Sequence, residues 1–261
     1  MDQGHLVFDR LAVRRHRDRA APIVARVRPI LQEAAERLID RLDDTAKRFT
    51  QALDIGGRGV VAPSLQARGI DVVSCDLSAR MAALAGGSPV VADEESLPFG
   101  RDSFDLVVAS LSLHWINDLP GALIQLRMAL RPGGLLLASM PALGTLDNVR
   151  IALAEAEAEL TGGASPRVSP FVDLRDGAGL LQRAGFDVPV ADSDSLELAY
   201  ADPLALLRDL RAAGETNAIL RRNRRPPDAA LFASAFARLS AGDGCVPVTI
   251  RIATLTGWAP A

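Results

Sequence analysis

Cysteine is scarce in this chain, and what little there is lies apart. Cys75 and Cys245 form no Cys-x-x-Cys pair, so neither a disulfide framework nor a structural zinc motif is expected. Long apolar runs are missing as well, because charges interrupt every stretch that approaches the length of a bilayer span. Positive charge is not in surplus: 29 basic against 32 acidic residues give a formal net charge of −3. That balance argues against a protein whose main work is neutralising nucleic-acid phosphates. A small molecule or another protein is the expected partner. The first residues are rich in arginine, as a transit peptide would be, but Asp2, Asp9 and Asp18 are interspersed among them. Transit peptides are poor in acids. The expectation is therefore mature protein from the start, in a reducing cytoplasm.

What is present is a large apolar fraction, 49% of 261 residues, enough to bury the core of one large α/β domain. Residues 1–50 read as helical: Ile30, Leu31, Ala34, Leu38 and Leu42 recur at helical spacing, with Glu33, Glu36, Arg37, Asp40 and Arg41 on other faces. From Ala52 the pattern changes to short apolar runs alternating with amphipathic helices. The runs are Ala52–Ile55, Asp71–Cys75, Pro89–Ala92, Phe104–Ala109 and Leu135–Ser139. Such alternation predicts βαβ units and a parallel sheet. Arg131-Pro132-Gly133-Gly134 reads as the turn before the fifth strand. Beyond it, helices are expected over Asp147–Leu160, Leu174–Ala184 and Pro203–Ala213, and strands over Leu196–Tyr200 and Val246–Leu255. Thr161–Pro170 reads as a linker, and the Arg221, Arg222, Arg224, Arg225 cluster before Pro226-Pro227 as an exposed connection. The predicted architecture is a doubly wound α/β sheet with a helical N-terminal cap at 1–50. A ligand-binding core at 51–160 follows, and 161–261 completes the same domain on the substrate or partner side.

In an open parallel sheet, ligands bind beyond the carboxyl ends of the strands, near the point where strand order reverses. Asp54, Asp76 and Asp93 fall at the ends of the first three strands. Each alone reads as a strand-end cap; their joint placement points to a ligand. Asp54 leads into Ile55-Gly56-Gly57-Arg58-Gly59, where glycines let the backbone approach a ligand without Cβ obstruction. Nicotinamide proteins share a glycine loop. A carboxylate beside it would repel a pyrophosphate and favour a cationic ligand such as the sulfonium and ammonium of S-adenosylmethionine. Asp76 is placed to accept both ribose hydroxyls, and Asp93 to accept from the adenine amino group. The candidate cofactor-binding set is Asp54, Gly56, Gly57, Gly59, Asp76, Leu77, Asp93 and Glu94, with Ser110 and Trp115 from the loop after the fourth strand. Trp115 reads equally well as core packing. His114 beside it is the one candidate catalytic residue, as a general base.

Leu53–Gly59, Ala92–Phe99 and Phe104–Pro120 resemble the class I S-adenosylmethionine-dependent methyltransferases. Further stretches are similar to the subgroup of complex I assembly factors, and more distantly to the BioC-type carrier-protein methyltransferases. They are Phe8-Asp9-Arg10, Val168–Phe171, Arg183–Phe186, Gly214–Asn217 and Gly257-Trp258. The resemblance implies a Rossmann-like methyltransferase sheet, S-adenosylmethionine as cofactor, and a protein or carrier-bound acceptor. For the assembly-factor subgroup it implies hydroxylation of an arginine on an iron–sulfur subunit of complex I. A non-catalytic assembly chaperone that keeps adenosyl binding is a third reading. The glycine loop is one residue shorter here than the family's usual one, and Ala142-Leu143-Gly144 stands where the subgroup has Gly-Gly-acid. A hydroxylase prompts a search for an iron site, for which His16-x-Asp18 has suitable spacing, with His114 a distant third. A solvated basic helix is the plainer reading, and no metal is expected.

Overall fold

The computed structural model describes residues 6–171, 173, 176–239 and 245–261. Asp2, and Leu174 at the start of one expected helix, lie outside the described residues. Asp9 opens the first helix, α1 (Arg10–Ala20), by accepting from the Ala12 amide at 3.0 Å. A 3-10 segment over Ala21–Val27 leads to α2 (Arg28–Ile39), and a second over Asp40–Asp44 ends the helical N-terminal region.

Strands and helices then alternate: β1 (Gln51–Ile55), α3 (Val61–Ala67), β2 (Asp71–Asp76), α4 (Ala79–Ala85), β3 (Ser88–Val91), β4 (Phe104–Ala109), α5 (Leu119–Ala129) and β5 (Leu130–Pro141). The chain continues through α6 (Asp147–Thr161), α7 (Gly177–Arg183), β6 (Asp187–Tyr200), α8 (Pro203–Ala213), α9 (Ala229–Leu239) and β7 (Val246–Trp258). One sheet has the order β3-β2-β1-β4-β5-β7-β6. Its first five strands pair in parallel, while β7 inserts antiparallel between β5 and β6. Strand order therefore reverses between β1 and β4, and the carboxyl ends of these strands define one edge.

The pleat sorts the core by alternate residues. Leu106, Val108, Leu135 and Leu137 pack with Leu31 and Leu38 of α2 and Leu65 of α3. Val107, Ala109, Leu136 and Ala138 turn the other way, onto Leu123 and Leu126 of α5 and Leu181 of α7. Helices on both faces explain why β4 is buried along its whole length. A third cluster joins α6, α8 and α9 to the far part of β7 through residues such as Leu153, Leu206, Leu231 and Val248.

The expected strands are all present, with two revisions. Arg131–Gly134 does not precede the fifth strand but interrupts it: Leu130 already pairs with Phe104, and pairing resumes at Leu135–Leu106 after the extra residues bulge out. The last two strands are longer than their apolar runs, since they pair over most of their length and each supplies the other's backbone partners. Helix α9 was not expected; it follows the basic Pro-Pro segment that reads as an exposed connection.

Candidate functional site

Five features converge at the carboxyl edge of β1, β2 and β4. Asp54, fully buried near the end of β1, faces the turn that follows. Gly56 takes a left-handed φ of 64°, and a Cβ at Gly57 would collide with the Asp54 carboxylate, so the carboxylate itself dictates glycine there. The shortened loop continues with Arg58 at φ 50°, a costly angle for a residue with a Cβ. Burial, with Asp76 nearby, pushes the Asp54 carboxyl up to about 8. The Gly57 and Ala62 amides and the Ser74 hydroxyl moderate that rise. Even so, neither Asp54 oxygen meets a partner with hydrogen-bond geometry.

The second feature is Asp76 at the end of β2, where its Oδ1 accepts from the Ser78 amide at 2.7 Å and its Oδ2 from Arg17 Nη1 at 3.1 Å. Arg17 comes from α1, is 1% exposed, and also donates to Glu94 Oε1 at 2.9 Å. Burial raises the Asp76 carboxyl and Arg17 opposes that, while Asp76 and Glu94 drive the guanidinium above its ordinary value against its own burial. One helical face and two turns away, Arg10 binds Asp93 Oδ1 at 2.6 Å, pairs with Glu94, and donates to the Trp115 carbonyl at 3.0 Å. The reading of α1 as a solvated basic face is therefore corrected for Arg10 and Arg17, whose seven-residue spacing puts both against the strand-end acids.

The loop after β4 forms the third feature. Ser110, Ser112, His114 and Trp115 are all buried. Trp115 packs edge-on against Phe8 at 5.2 Å between ring centroids, and its indole N–H donates to Glu215 at 2.7 Å. Leu77 packs against the same cluster. Fourth, Glu215, just past α8, accepts in addition from His114 Nε2 at 2.7 Å and pairs with Arg58. Burial would raise the Glu215 carboxyl, but His114, Arg58 and the indole N–H together hold it far below the usual carboxylate range. The sequence reading missed Arg10, Arg17, Arg58 and Glu215; the available signal was Glu215 inside the Gly214–Asn217 stretch.

The fifth feature is a cavity of about 760 Å³ that opens from His114, Trp115, Arg58 and Glu215. Apolar side chains of α6, α8, β6 and β7 wall it, among them Val149, Leu153, Leu206 and Val248. The chain's early and late parts meet beside it: the Asp9 amide donates to the Ala218 carbonyl, the Leu220 amide to Val7, and Arg222 to Asp9. Asn117 Oδ1 accepts from the Val7 and Phe8 amides, tying the β4 loop to the same segment.

The structure thus brings together Asp54, Gly56, Gly57, Asp76, Glu94, Ser110 and Trp115, with Gly59 following in the same turn and Asp93 held at its edge by Arg10. The residues weighed for iron are not assembled. His16 Nδ1 faces the Thr216 carbonyl, Asp18 accepts from Ser78, and His114 faces Glu215. Among the described residues no group of three or more His, Cys, Asp or Glu converges as a ligand set.

A sheet of this order, with a glycine turn and acids at the ends of its first strands, defines a protein of the class I methyltransferase fold. Residues 53–138 match the methyltransferase domain family. A S-adenosylmethionine-dependent methyltransferase from Thermotoga maritima superposes with a TM-score of 0.55 at 16% identity, over 94% of this chain and 99% of that one. The mitochondrial arginine-hydroxylase NDUFAF5 of Danio rerio is 38% identical over 99% of this chain and 84% of its own length. A malonyl-[acyl-carrier protein] O-methyltransferase of Methylovorus is 32% identical over 97% of this chain and 90% of its own. The chain belongs to the S-adenosylmethionine-dependent methyltransferase family. No helix among the described residues is long and apolar enough to cross a membrane.

Proposed function

We propose that the protein binds S-adenosylmethionine over the Gly56–Gly57 turn and transfers its methyl group to an acceptor in the adjoining cavity. The observation that carries this reading is a concentration of unsatisfied polarity. Arg17 Nη2, both Asp54 oxygens, Ser74 Oγ, Ser112 Oγ, Arg58 Nε and His114 Nδ1 are buried around the turn without hydrogen-bond partners. Buried polar groups are nearly always satisfied, so a cluster of orphans marks a place built for a polar ligand or ordered water. The residues fit the adenosyl ligand: Asp54 for its cationic end, Asp76 and Leu77 for the ribose, Asp93 and Glu94 for the base. The glycine turn, Ser110 and Trp115 complete the walls.

The ligand supplies an already activated methyl on a sulfonium; the protein's part is to align the acceptor and exclude water. His114 Nε2 is held by Glu215 at 2.7 Å, and its buried Nδ1 meets no partner, so Nδ1 is the ring nitrogen that an acceptor would reach. Residues 51–160 form the binding core, with residues 1–50 as its cap and 161–261 as the acceptor side. In this reading the acceptor is a protein or carrier-bound group in a reducing cytoplasm. The assembly-factor resemblance supplies the alternative of an arginine on an iron–sulfur subunit of complex I.

Asp76→Asn tests the cofactor assignment. Losing a charge-assisted hydrogen bond to the ribose is expected to weaken S-adenosylhomocysteine binding by about 1.5–3 kcal/mol in calorimetry. Unchanged affinity in a folded variant would reduce Asp76 to a partner of Arg17.

A further inference from the structure

We propose that the cavity beside the adenosyl cleft takes an amphipathic anion, its apolar body inside and a phosphate or carboxylate held at an arginine-lined mouth. This inference rests on the adenosyl reading of the neighbouring cleft and names the ligand class of the cavity that adjoins it. Eight arginines but only three acids line the cavity. The acids are already engaged: Asp9 by Arg222 and the Ala12 amide, Asp209 by Arg26, and Glu215 by Arg58, His114 and Trp115. On the mouth, Arg15, Arg19, Arg211 and Arg225 are exposed and, among the described residues, form no ion pair. Arg224 reaches only Asp9, at 3.9 Å, a carboxylate that Arg222 holds more closely at 3.0 Å.

The charge of this wall is felt inside it. His16 is driven down to about 4 by burial first, and then by the nearby cations Arg19 and Arg222. Two consequences follow from elementary electrostatics. A guanidinium or ammonium entering the cavity meets repulsion with no free carboxylate to offset it. A phosphate or carboxylate at the mouth gains several unpaired guanidinium forks of matching geometry. Between the mouth and the inner wall of His114, Arg58 and Glu215 the lining is largely apolar, with Phe171, Phe232, Leu207 and Ile250 adding to the aliphatic residues already named. A purely ionic ligand would leave that surface unused, which is why the body of the ligand is apolar.

The test uses the full-length protein, with and without saturating S-adenosylhomocysteine, whose own affinity is measured first by calorimetry. Three probes share one chain and differ in charge: decyl phosphate, decanoate and decylguanidinium. The two anions are expected to bind at least about tenfold more tightly than the cation, with the preference shrinking as salt screens the mouth. The phosphate and carboxylate arms rank the two head groups. In Arg211→Glu/Arg225→Glu the preference is expected to invert while S-adenosylhomocysteine affinity stays at its wild-type value, which also reports an intact fold. Equal or tighter binding of decylguanidinium to the wild-type protein, or an unchanged anion preference in the double variant, overturns the inference. Failure to bind S-adenosylhomocysteine would instead strike the cofactor assignment, and the charge comparison on the unliganded protein would still decide this one.

Discussion

Arg17 is the residue whose role is farthest from its appearance in the sequence. A basic residue in an arginine-rich stretch reads as solvated, yet this one is sealed between Asp76 and Glu94. Removing one member of a buried charge cluster leaves the others uncompensated. Arg17→Ala is expected to cost roughly 3–5 kcal/mol in denaturant unfolding. Arg183→Ala, whose ion pair with Asp176 is exposed, should leave the unfolding midpoint nearly unchanged. A small loss for Arg17→Ala would mean that water reaches the cluster. Asp54 makes the opposite prediction. Its folded pKa, about 8, lies above the 3.8 of an ordinary aspartate, so the native state holds a proton that the unfolded chain has released. Stability therefore falls as pH rises from about 4 to about 8 through this group. Asp54→Asn should flatten that slope and gain on the wild-type melting temperature across the same window. A pH profile identical to wild type would show the carboxyl ionised in the folded protein. A cation arriving beside Asp54 favours ionisation, so S-adenosylmethionine binding near neutral pH should release protons, detectable as a buffer-dependent heat.

At the scale of elements, the sequence is most informative where one rule acts alone. Phe104–Ala109 was legible because β4 is covered on both faces and so reads as continuous apolarity. Pro203–Ala213 was legible from its Asp202 cap, its proline in the first turn and the glycine just past its end. Helix α9 was hidden because the basic Pro-Pro segment before it reads as an exposed connection, even though Asp228 caps its start by accepting from the Ala230 amide at 3.0 Å. Arg131–Gly134 misled because proline and glycines usually end an element, whereas here they sit in a bulge flanked by pairing on both sides. The N-terminal helix shows what burial adds: Ala12, Val13, Arg17 and Ala20 are all enclosed, so α1 is part of the body and not a loose flap. Deleting residues 1–20 should therefore lower the melting temperature as well as adenosyl affinity. A truncated protein with unaltered melting would show that α1 is dispensable to the fold.

For the whole molecule, the glycine turn and the strand-end acids were readable because each belongs to a local pattern on a predicted strand. Glu215, Arg10 and Arg58 were not, because their meaning depends on distant segments meeting over the sheet edge. Arg10 reaches Asp93 across 83 positions and His114 reaches Glu215 across 101. Single-sequence periodicity carries no signal for such pairings. The same long-range closure joins the cleft to the arginine-mouthed cavity, so cofactor and acceptor would share one wall made of His114, Trp115, Arg58 and Glu215. The central claim is that this edge selects an adenosyl ligand over the dinucleotides that other doubly wound sheets bind. Calorimetry of the full-length protein with S-adenosylmethionine, S-adenosylhomocysteine and NAD in parallel tests it directly. The account predicts saturable binding of both adenosyl ligands with NAD at least about tenfold weaker, since a pyrophosphate cannot exploit ionisation of Asp54. Tighter binding of NAD, or no binding of either adenosyl ligand by the folded protein, would contradict it.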